Sequence, residues 1–181
     1  MEITAKTTYT LENLMRFYQI AAQQMNPRRY GALRVAYLLG GAAVFALGAY
    51  YAVQVFFRGD GDLVAILLAG IALYLGAQLL WMGIRFYRYY AKRAMKSIPK
   101  NSMCNYFRFE GEQIVISNRL RSSGYPYSQF GGVFETKDSF FFYINPYNGY
   151  ILEKSGLETA SPAALRTFLS QKLEIAVVAL E

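Results

Sequence analysis

The stretch that decides the architecture reads VAYLLGGAAVFALGAYYAVQVFF (35–57), RGDGD (58–62), LVAILLAGIALYLGAQLLWMGI (63–84). Neither apolar run carries a formal charge. At about 1.5 Å rise per residue each would reach roughly 33–35 Å as a helix, enough to cross a hydrocarbon core of about 30 Å with some tilt. A connection as short as Arg58–Asp62 forces the two helices to be antiparallel neighbours. The stretch predicts a transmembrane hairpin.

Its flanks predict an orientation. Arg28, Arg29 and Arg34 precede the first run, and Arg85, Arg88, Lys92, Arg93, Lys96 and Lys100 follow the second, with no acidic residue among them. Removing those nine turns the net charge of +7 into −2, so the basicity is juxtamembrane and a nucleic-acid-binding face is not expected. The connecting loop is net acidic. Positive charge is retained in the cytoplasm, so both termini are expected there, in a multi-pass protein of the cytoplasmic membrane. The basic flanks, with Trp81 at the same boundary, are expected to meet anionic headgroups of the lipid bilayer.

Composition narrows the chemistry. Histidine is absent and Cys104 is the single cysteine. That removes Ser-His-Asp and Cys-His arrangements, histidine-based metal centres and intrachain disulfides. No GxxxxGK[ST] loop occurs to cradle a nucleotide. Neither a cofactor nor a metal is expected, and the chain reads as a non-enzyme.

Before the hairpin, EITAKTTY (2–9) alternates as a strand, and Thr10 can cap a helix carrying Leu11, Leu14, Met15, Tyr18, Ala22 and Met25 at helical spacing. Asn26-Pro27 ends it. That apolar stripe has two possible homes, the membrane interface or the face of a soluble domain. Within the hairpin, Gly41 and Gly48 on one helix and Ala69, Ala72, Gly76 and Gly83 on the other offer small faces for close packing. Gln54 and Gln78 lie at different depths and cannot readily bond each other.

After the hairpin a basic helical stalk runs to Pro99, and the period then changes from 3.6 to 2. Strands are expected at 105–109, 113–117, 123–127, 132–136, 140–145 and 149–153, separated by turn chemistry. Ser161-Pro162 opens a helix with Leu165, Phe168, Leu169 and Leu173 on one face. The expected class is therefore membrane α+β. A two-helix hairpin carries a small antiparallel barrel or bent sheet capped by a C-terminal helix. The chain divides into residues 1–31 (strand and amphipathic helix), 32–100 (hairpin and stalk) and 101–181 (C-terminal domain).

The runs YFRFE (106–110), IVI (114–116), YPYSQF (125–130) and ETKDSFFFYI (135–144), with YTLENL (9–14) near the start, resemble the YcxB-like family. The resemblance implies a bacterial membrane protein whose soluble part is pleckstrin-homology-like. It also implies a Pro-Lys-Arg type end to the last strand, of which this sequence keeps only Lys154. Such a barrel has seven strands where six follow the stalk, so Ile3–Tyr9 is expected to supply the missing one. The hairpin then becomes an insertion within one discontinuous soluble domain.

Candidate sites are few. Glu110-Gly111-Glu112 reads as a solvated turn in preference to an acid/base pair, and its charge is the wrong sign for a polyphosphate headgroup. Asp60-Gly61-Asp62 reads as a connector too short for a metal cage. Arg119 and Arg121 could contact anionic groups. Alternation puts Phe141 and Tyr143 on the face opposite Phe140 and Phe142. With Tyr147 they form the expected partner surface, for another protein or a second copy. The leading expectation is a membrane-tethered binding module. The alternative is a subunit of an oligomeric transporter or channel, in which Gln54 and Gln78 would face a shared lumen.

Overall fold

The structure, a computed structural model, describes residues 3–58, 63–173 and 175–180. The chain forms two units, residues 27–89 and a discontinuous unit built from the N-terminal 26 residues and everything from Tyr90 onward. The connector with Asp60-Gly61-Asp62 lies outside the described residues.

The first unit holds α2 (Pro27–Arg58) and α3 (Leu63–Ile84), together with the start of α4 (Phe86–Ser97). Both α2 and α3 are long and apolar enough to cross a membrane, and only 11% of each apolar window is buried, unlike the core helix of a soluble domain. They pack through the small residues read from the sequence. A Cβ on Gly76 would lie 2.5 Å from the Phe45 backbone nitrogen, and on Gly48 it would lie 2.8 Å from that of Leu73. Gly41 meets Leu80 in the same way, whereas Gly40, Gly31 and Gly70 face open space. Gln78 donates to the Tyr74 hydroxyl at 2.9 Å, one turn back on its own helix.

In the second unit, β1 (Ile3–Thr8) precedes α1 (Leu11–Ile20), which runs into one π-helical turn, Ala21–Met25. Thr10 caps α1 through a reciprocal pair of bonds with Asn13. Beyond α4 come β2 (Cys104–Phe109), β3 (Gln113–Ser117), β4 (Ser122–Pro126), β5 (Gly132–Glu135), β6 (Ser139–Asn145), β7 (Asn148–Glu153), α5 (Pro162–Lys172) and β8 (Val177–Ala179). Two four-stranded sheets result, ordered β1-β2-β3-β4 and β7-β6-β5-β8. As expected, β1 joins from across the hairpin, pairing antiparallel to β2 from Ile3↔Phe109 to Thr8↔Cys104.

The core between the sheets is aromatic and aliphatic: Ile3, Phe107, Phe109, Ile114, Phe140, Phe142 and Leu152, closed by Leu165 and Leu169 of α5. Ser161 caps α5 by accepting from the Ala164 N–H, with Pro162 at the first helical position. One strand was not legible in sequence: β8 pairs parallel to β5.

The outer face of the second sheet is covered as well. Leu14, Phe17, Ile20 and Ala21 pack with Phe134, Phe141, Tyr143 and Ile151, and Ala91 of α4 joins them. Of the two homes open to the amphipathic helix, it takes the soluble one. This corrects the expected partner surface, because Phe141 and Tyr143 are fully buried. The pleat does turn them away from Phe140 and Phe142, but onto α1 instead of solvent.

Candidate functional site

The discontinuous unit carries a groove of about 820 Å³, lined by α1, α4, the β3–β4 turn, β4, the β6–β7 turn and the start of β7. Two asparagine-capped turns shape its rim. The Asn118 Oδ1 accepts from the backbone N–H groups of Leu120 and Arg121, at 2.9 and 3.1 Å, which fixes the root of Arg121. Across the groove, the Asn145 Oδ1 accepts from the N–H groups of Tyr147 and Asn148, both at 2.9 Å, and Tyr147 stands half-exposed at the tip. Gly149 follows because a side chain there would meet the Phe142 carbonyl oxygen and, at 3.0 Å, the Phe17 ring.

The floor is a tyrosine cluster. The Tyr150 hydroxyl donates to that of Tyr125 at 2.6 Å, with ring centroids 5.3 Å apart. Tyr9, the first residue after β1, packs against the cluster that holds Ile151. Burial pushes the Tyr9 phenol well up, and the Tyr150 phenol rises through burial and its bond to Tyr125. Arg121 acts on Tyr150 in the opposite sense but does not cancel this. These phenols therefore keep their protons at neutral pH and serve as hydrogen-bond donors.

Of the expected partner residues, Arg121 and Tyr147 come together on this groove, and Arg119 is exposed in the same turn as Arg121. Phe141 and Tyr143 are beneath the sheet and take no part in its lining. The sequence reading missed Tyr9 and Tyr125. Their signal was present as aromatic residues within predicted strands, Tyr9 at the end of one and Tyr125 inside another, but only the pairing of β1 with β2 brings Tyr9 to this place.

The remaining charged clusters are internally satisfied. Glu135 is 3% exposed and accepts from Lys154 at 2.6 Å and twice from Arg166, at 2.5 and 2.7 Å. Burial would raise its carboxyl, but the hydrogen bonds and charges of Arg166 and Lys154 outweigh this and hold it below the usual carboxylate range. Lys154, the one basic residue kept at the end of the last family-like strand, is thus part of an internal ion triad and also lies 5.2 Å from the Phe140 ring centroid. Glu110 pairs with Arg108 at 2.8 Å and Glu112 with Lys172 at 3.5 Å, in keeping with a solvated turn. Among the described residues, no group of three or more Cys, Asp or Glu could hold a metal.

The juxtamembrane residues Arg28, Arg29, Arg34, Arg85, Arg88, Lys92 and Arg93 are all exposed. The Arg85 guanidinium sits 4.2 Å from the Trp81 ring centroid, an arrangement suited to a headgroup boundary.

No curated protein and no solved structure matches the chain. Residues 109–169, running from the end of β2 into α5, match the family described as YcxB-like protein. That region thus matches the family that the sequence resembles.

Proposed function

We propose that this is a non-enzymatic multi-pass protein of the bacterial cytoplasmic membrane. Its hairpin holds a small pleckstrin-homology-like module at the cytoplasmic face, with both termini on that side. The module binds a protein partner or a second copy through the groove floored by Tyr9, Tyr125 and Tyr150. The two sheets closed over one core by α5 support the pleckstrin-like reading, and the exposed basic flanks support the orientation.

The observation that carries the binding role is the groove itself. Its volume falls in the range of about 300–1,000 Å³ typical of ligand sites, with Arg121 and Tyr147 on its rim. The transport alternative draws less support, because Gln78 bonds Tyr74 of its own helix and not a facing side chain.

The test is photocrosslinking in native membranes from a probe at Tyr147, with Tyr106 on the outer face of the first sheet as the control. The reading expects a discrete protein adduct from position 147 and none from position 106. Adducts with lipid alone at position 147 would contradict it.

A further inference from the structure

The chemistry of the groove identifies what it takes. Among the described residues no carboxylate lines it, and its one formal charge is Arg121. Among the described residues no acidic side chain pairs with Arg121. The Glu135 triad and the Glu110 and Glu112 pairs hold their charges elsewhere in the unit. Beside that cation the phenols of the floor offer donors. A hydroxyl pair such as Tyr150–Tyr125 uses one of its two hydrogens internally, so one remains for an acceptor whichever way the pair is oriented. A cation beside neutral donors complements an anion.

The backbone around the groove adds a shape. Both β4 and β7 are the outermost strands of their sheets, and both border the groove. Outer strands carry main-chain donors and acceptors in a row and accept an added extended segment. A free phosphate would use the cation and the phenols but leave the strand edge unused, and a lipid polyphosphate would need several basic residues at one point. An extended polypeptide uses the cation, the phenols and the strand edge together.

We propose that the groove takes an extended acidic segment of a partner protein, whose carboxylate is held by Arg121 and the Tyr125–Tyr150 hydroxyls while its backbone runs along β4. This rests on the reading that the groove binds a protein, and adds the chemistry of that protein.

Full-length protein in phosphatidylcholine nanodiscs, panned with a random-heptapeptide display library, tests it. Selected peptides are synthesised with a fluorophore and titrated by anisotropy against the parent, Arg121→Gln, Arg121→Glu and Tyr147→Ala. Arg121 is exposed, so its variants are expected to unfold at the parent's temperature. The proposal expects selected sequences rich in Asp and Glu, about tenfold weaker binding to Arg121→Gln, and no measurable binding to Arg121→Glu.

Neutral or basic selected peptides that ignore Arg121→Gln but weaken with Tyr147→Ala would overturn the acidic-segment proposal and leave the protein-binding reading standing. Failure to enrich any peptide over empty nanodiscs would overturn both. Displacement of the peptides by phosphatidylglycerol in the disc, relieved in Arg121→Gln, would make lipid the occupant and overturn the proposal.

Discussion

The Tyr143 hydroxyl donates to the Phe17 carbonyl oxygen at 2.6 Å, and the two rings stack with centroids 4.4 Å apart. The same carbonyl is approached by the N–H of Ala21, where the α-helical ladder of α1 gives way to the π-helical turn. A side chain that competes for a helix carbonyl is one of the identified causes of such irregularities. The contact ties a residue before the hairpin to one far beyond it.

Removing that hydroxyl tests the tie. Tyr143→Phe keeps the stack but leaves the carbonyl short of one donor, and is expected to cost about 1 kcal/mol. Phe141→Ala empties a fully buried site and should cost about 3–5 kcal/mol. Denaturant unfolding in detergent, followed by near-UV signal, ranks the two. Near-zero cost for Phe141→Ala would mean that α1 does not cover the sheet.

Glu135 makes stability pH-dependent in a known direction. Its folded pKa lies below its unfolded value, so it contributes stability that is fully present above about pH 4.3 and is lost as pH falls through the depressed folded value. Glu135→Gln should remove part of that acid limb in a series of melting curves. At neutral pH, Glu135→Ala leaves Lys154 and Arg166 facing a void. Arg166 is 55% exposed, and this screening brings the expected cost to about 2–3 kcal/mol.

Neighbouring glycines in α2 should behave oppositely. Gly41→Leu drives a side chain into the Leu80 backbone, whereas Gly40→Leu projects into open space. The first is expected to cost at least about 1–3 kcal/mol of helix–helix association and the second close to nothing. Cysteine crosslinking between the two helices in membranes reports the difference. Equal effects would contradict the packing face.

Much of this arrangement was legible because the local signals agree with the fold. The charge-free runs gave the hairpin, alternation gave six strands and Ser161-Pro162 gave α5, while the pairing of β1 was expected only through the family resemblance. The exposure of Phe141 and Tyr143 was misread for a physical reason. Alternation says which side of the pleat a residue takes, not what covers that side, and the cover comes from α1, on the far side of the hairpin in sequence. The amphipathic stripe of α1 could equally have served a membrane surface, so only its docking decided the matter. Val177–Ala179 has no alternation of its own and becomes a strand only because β5 offers an edge. The groove is a product of two turns and two sheet edges, which no single stretch of sequence displays.

The central claim is that the hairpin interrupts one discontinuous soluble domain. The most direct measurement replaces residues 27–89 with a flexible Gly-Ser linker and follows thermal unfolding of the resulting chain, with and without residues 1–9. Ile3 and Ala5 belong to the core and β1 pairs along the full length of β2, so the linked chain is predicted to be soluble and to unfold in one cooperative transition. Its truncated counterpart should lose that transition. A cooperative transition unchanged by deleting residues 1–9 would contradict the account.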